Sequence, residues 1–153
     1  MKRFHFRLNS VLLLRKRALN AAQEEYSKAI AQRRKIDEVI EEGKEQIAAM
    51  NDAIKASWGG RPVVAGQQES LMLGLKLAKT KLDEWKLSRV QALQEEMKKR
   101  ELYIEANKNF ELLEKLKERQ KNEHLYAEMQ KEQILADDLF NARRASMQIT
   151  EMA

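Results

Sequence analysis

The chain has 153 residues, a mass of 17.9 kDa, 35% charged and 6% aromatic residues, and a net charge of +5. So much charge with so few bulky rings excludes a large globular core, and the absence of cysteine excludes disulfides, thiolate chemistry and zinc sites of the Cys type. Abundant Ala, Glu, Lys, Leu, Gln and Arg with one proline is the composition of long helices, and a 43% hydrophobic fraction separates it from a disordered chain.

Residues 1–9 read as an extended leader in which Phe4, Phe6 and Leu8 alternate with polar residues and pack against another surface. The apolar run before Arg15, Lys16 and Arg17 is too short for a signal-peptide core, and nothing elsewhere approaches the roughly 18 to 20 apolar residues of a membrane span. The expectation is an intracellular protein with no direct membrane insertion. Residues 1–35 hold ten Lys/Arg against Glu24 and Glu25. With Phe4, His5 and Phe6 among them, these cations raise the alternative of a nucleic-acid arm, but no nucleic-acid-binding fold is recognisable and no such partner is expected.

A first helix is expected over 10–57, with Asn9 or Ser10 as its N-cap. Leu12, Leu19, Tyr26, Arg33, Ile40, Ile47 and Ile54 recur every seven residues, with Ala22, Ala29, Ile36 and Met50 three positions after their partners. That is a heptad seam, weakened locally by Arg33 and Gly43. Residues 58–66, "WGGRPVVAG", hold three of the five glycines and the only proline, and read as a turn.

A second helix is expected over 67–148, since no proline follows Pro62. Its stripe begins with Leu71, Leu75, Ala78, Leu82 and Trp85; Leu73 and Leu77 lie off it, so that some of this dense apolar run is expected to be exposed near the bend, with a docking patch and tucking under the turn as the two readings. The apolar spacing continues through Val90, Leu93, Met97 and Ile104 to Phe110, Leu113 and Leu116, with a phase drift after Trp85 like that of a stutter. Glu24 with Lys28, Glu95 with Lys99, Glu96 with Arg100 and Glu111 with Lys115 have the spacing of same-face ion pairs.

Neither helix can bury its stripe alone. A short connection then implies an all-α fold, a long two-helix antiparallel coiled-coil hairpin forming a single domain over 1–153. Facing residues have numbers that add to about 125, which sets Ser10 beside Lys115. The arms are unequal, about 70 Å against about 120 Å. Residues 116–148 are therefore expected to lack a partner within the chain, although they carry Leu125, Tyr126, Met129, Ile134, Leu135, Leu139 and Phe140. That overhang implies another molecule.

Two histidines, no phosphate-binding loop and no nucleophile motif point away from catalysis, and no cofactor is expected. Glu123, His124 and Glu128 fall within two helical turns, which raises a metal pair against the plainer reading of a solvated face.

The stretches "FRLNSVLLLRKRALNAA", "LDEWKL", "FELLEKLKERQ" and "AEMQKEQILADDLFNARRASM", in that order over nearly the whole chain, resemble the FliJ family, the coiled-coil component of the flagellar protein-export apparatus. The resemblance implies a non-enzymatic, cytoplasmic stalk associated with the inner face of the membrane through that apparatus. Its implied partners are the export ATPase ring, the cytoplasmic domain of the export gate and export chaperones. Ring contacts map by resemblance to Phe4, Phe6, Arg7, Leu8, Leu12 and Arg15 at the start, and to Asp137, Asp138, Leu139, Phe140, Arg143 and Arg144 near the end. Gate contacts map to Leu71, Met72 and Leu75, in a region that diverges from the family. A stalk of a virulence-type secretion system and a generic dimerising scaffold are the alternatives.

Overall fold

A computed structural model describes residues 2–59 and 65–153. Two helices, α1 (Asn9–Trp58, 50 residues) and α2 (Ala65–Met152, 88 residues), make up nearly all of it, with no strand among the described residues. They pack antiparallel, so the fold is the expected all-α hairpin with unequal arms. The expected turn falls in part on residues 60–64, outside the described residues.

Helix α1 starts one residue earlier than expected. The Leu12 amide donates to the Leu8 carbonyl at 2.9 Å, so Leu8, rather than Asn9 or Ser10, supplies the first helical acceptor. At the other end the Gly59 amide donates to the Ala56 carbonyl at 3.3 Å, an acceptor the last turn leaves free, and Ser57 Oγ donates back to the Ile54 carbonyl at 2.7 Å. Helix α2 extends two residues beyond expectation at its start and four at its end.

Contacts divide the chain into two compact units, Met1–Ala18 with Asn107–Ala153, and Leu19–Ala106. Within the second, the α1 seam is the heptad one: Ala29, Ile36 and Ile40 are buried, and Leu19, Ala22, Tyr26, Ile47, Met50 and Ile54 are half-buried. Tyr26 stacks on Tyr103 with ring centroids 5.9 Å apart, Arg33 meets Glu96, and Gly43 meets Leu82. These pairs lie within one helical turn of the expected register.

Helix α2 departs from the expected stutter. Its covered residues in this unit are Gln68, Gly74, Leu75, Ala78, Leu82, Ser88, Ala92, Glu96, Lys99, Tyr103 and Ala106; the stretches Leu75–Leu82 and Ala92–Ala106 share one heptad phase, interrupted where Trp85 and Arg89 are exposed and Ser88 is covered instead. Val90, Met97 and Ile104 are at least half exposed instead, and Leu93 is also exposed. The reason is a polar crossing. Arg33 donates to Glu96 across the seam and to Asp37 at 2.8 Å along its own helix, and Arg89 reaches the other Asp37 oxygen at 2.7 Å. Hydrogen bonding to Glu96 raises the Arg33 pKa, against the opposing effect of burial. Charged residues thus occupy seam positions by satisfying one another, and the apolar residues beside them turn outward. Glu96 faces Arg33 rather than the expected Arg100, whereas Glu24–Lys28 and Glu95–Lys99 form at 3.7 and 3.8 Å.

Within the first unit the leader lies along α2. Phe6 is 4% exposed, Phe4 sits 5.8 Å from the His124 ring, and His124 Nε2 donates to the Lys2 carbonyl at 3.0 Å. Leu116, Lys117, His124 and Glu128 are half-buried, so the unpaired stretch does not begin near residue 116 as expected. An extended chain advances about 3.3 Å per residue against 1.5 Å in a helix, so seven leader residues cover about fifteen of α2.

Candidate functional site

From Met129 to its end at Met152 every residue of α2 is exposed. Helix-forming residues without a proline or an interior glycine carry the backbone through, so the side chains are presented on a regular rod. Ile134, Leu135, Leu139, Phe140, Met147 and Ile149 are each at least 60% exposed. Asp137 and Asp138 precede Arg143 and Arg144 by under two turns, which gives the rod an acidic band and then a basic one. A surface with this much wet apolar area and paired opposite charges is suited to binding protein.

The residues that resemblance assigns to a ring do not form one patch. Asp137, Asp138, Leu139, Phe140, Arg143 and Arg144 share the exposed rod, whereas the leader contacts at His124 lie about 20 Å back along α2 from Asp137. Phe6 and Leu12 are buried within the chain and Phe4 is half-buried. Arg7, Leu8 and Arg15 are exposed. The leader therefore acts first as intrachain packing, a role its alternating Phe4 and Phe6 signal in the sequence.

At the junction between paired and unpaired α2, Lys131 lies 3.2 Å from Glu128. Its hydrogen bond holds the Glu128 carboxyl below the usual carboxylate range, against partial burial, which pushes the other way. Glu123, His124 and Glu128 do not converge on a metal position: Glu123 pairs with Arg119 at 3.1 Å and His124 is committed to the leader. Among the described residues no group of three such side chains is brought together, and no helix is long and apolar enough to cross a membrane.

Near the bend, Leu71 and Met72 line an open groove of about 350 Å³ with Ile54, Ser57 and Trp58, while Leu75 is buried. Leu73 and Leu77 are exposed, as their place off the stripe requires. Trp58, 72% exposed, was not among the residues singled out from sequence; its signal was a lone indole on the last turn of a helix, next to a glycine pair. No family model, curated protein or solved structure matches the chain.

Proposed function

We propose that the chain is a non-enzymatic, stalk-like coiled coil of the flagellar type III export apparatus, which binds and stimulates the export ATPase ring and couples it to the export gate. The observation that carries this reading is the exposed rod Met129–Met152 beyond the paired part of α2. A slender helix with apolar and charged groups on all sides fits the inside of a ring of subunits. It biases the ring's cycle by contacting its conformational states unequally. Leu139 and Phe140, flanked by Asp137, Asp138, Arg143 and Arg144, are the central ring contacts in this reading. Leu71 and Met72, joined by Trp58, would face the gate, and export chaperones would be handled from the same cytoplasmic position at the inner membrane.

Co-purification with the export ATPase, and its hydrolysis rate, would be compared for intact protein and for a chain ending after Glu128. Loss of both binding and stimulation on truncation is expected; equal stimulation by the two forms refutes the role of the rod.

A further inference from the structure

The exposed rod is self-complementary. Leu125, Met129, Glu132, Ala136, Leu139 and Arg143 alternate by four and three residues along one face of α2. Within that face Glu132 and Arg143 are the charged positions, three helical turns apart and of opposite sign. Turning a second copy end over end about an axis between Asp137 and Asp138 sets Glu132 of each copy opposite Arg143 of the other. The same rotation sets Ala136 against Leu139, small against large, and brings Tyr126 toward Met147 on the flank. A parallel pairing in register would instead stack Glu132 on Glu132 and Arg143 on Arg143.

We propose that, when nothing else occupies it, this face binds a second copy of the chain as an antiparallel two-helix coiled coil centred on Asp137 and Asp138. Leu125, Met129, Leu135, Leu139, Phe140 and Met147 are each at least 42% exposed. At about 110 Å² from each of these side chains, two copies together cover on the order of 1,300 Å², at the lower end of specific, stable interfaces. The same two-fold sets Met129 opposite Ser146 and Leu125 opposite Thr150, so the two Glu132–Arg143 crossings fix register and direction: a slip by one heptad removes both and leaves four charges unpaired in the seam. The proposal stands apart from the export reading, because a chain with any other partner has the same face to cover.

The test uses the full-length chain. Sedimentation over micromolar to hundred-micromolar concentrations is expected to show a monomer–dimer equilibrium. Glu132→Arg and Arg143→Glu should each weaken it roughly tenfold or more, and the double reversal should restore it to within about threefold. Circular dichroism of the four proteins should be alike, because both positions are exposed in the monomer. A spin label at Glu151→Cys, the only cysteine in the chain, should lie about 40 Å from its counterpart in the dimer, whereas a parallel pair would hold the two close together. A chain that stays monomeric throughout, a dimer indifferent to single reversal, or a double reversal that fails to rescue would each overturn the proposal. So would a short label distance.

Discussion

Arg33 shows how a residue that looks misplaced in a seam is used. Its guanidinium joins Glu96 and Asp37, and Asp37 also holds Arg89, so removing Arg33 leaves two carboxylates facing each other in a part-covered site. Arg33→Ala and Glu96→Ala should each lower the melting temperature, and the double variant should lose less than the two losses added together, which thermal unfolding of the cycle would measure. Gly74 offers the opposite case. A methyl group built there meets nothing within 4 Å, and the residue is inside a helix, so Gly74→Ala should stabilise by about 0.5 to 1 kcal/mol in denaturant unfolding. At Gly43 the same methyl would sit 3.2 Å from the Leu82 side chain, so helix propensity gained there is partly spent on moving Leu82. Glu128 adds a pH dependence. Its carboxyl titrates below the ordinary 4.5 in the folded chain, so its contribution is complete above that value and is lost as the pH falls through the lower folded value. Melting curves recorded on either side of about pH 4.5 should show a smaller acid loss for Glu128→Gln than for the parent chain.

The two helices differ in what supports them. Helix α1 has Ile36 and Ile40 in its seam, and Ile40 is 4% exposed, so Ile40→Ala should cost about 2 to 4 kcal/mol in chemical denaturation. Leu19→Asp and Ile47→Asp should lower both helicity and melting temperature, since a half-covered seam has no partner for a carboxylate. Phe140→Ala, on the exposed rod, should stay within about 0.5 kcal/mol of the parent. A reversed ranking would mean that the covered and uncovered stretches have been exchanged. The seam of α1 was legible because six of its first seven heptad positions are apolar. The seam of α2 was misread past Trp85 because Val90, Leu93, Met97 and Ile104 offered a continuous apolar spacing, while the true phase passes through Arg89, Glu96 and Lys99. Arg33 contained the missing signal: a cation on the α1 seam calls for a carboxylate opposite, and Glu96 lies close to the expected register. The leader's cover over α2 lay outside the expected register, which ends at Ser10 beside Lys115 and assigns Phe4 and Phe6 to another surface rather than to α2 itself.

For the molecule as a whole, local stability should follow cover. Amide exchange is expected to be slowest around Ile36, Ile40 and Leu75 and fastest over residues 129–153, where helical hydrogen bonds have no packing to protect them. On the two proposals together, a ring and a second copy compete for those same residues, and added export ATPase is then expected to shift the proposed dimer toward monomer as its concentration rises. The bonds among Arg33, Asp37, Arg89 and Glu96 also decide how the Leu19–Ala106 unit behaves under load. Shifting one helix past the other by seven residues would bring Arg33 toward either Arg89 or Tyr103, exchanging attraction for repulsion or for an uncharged ring. Such sliding is disfavoured at every step. The pair is built to push or twist as one strut, never as a telescope.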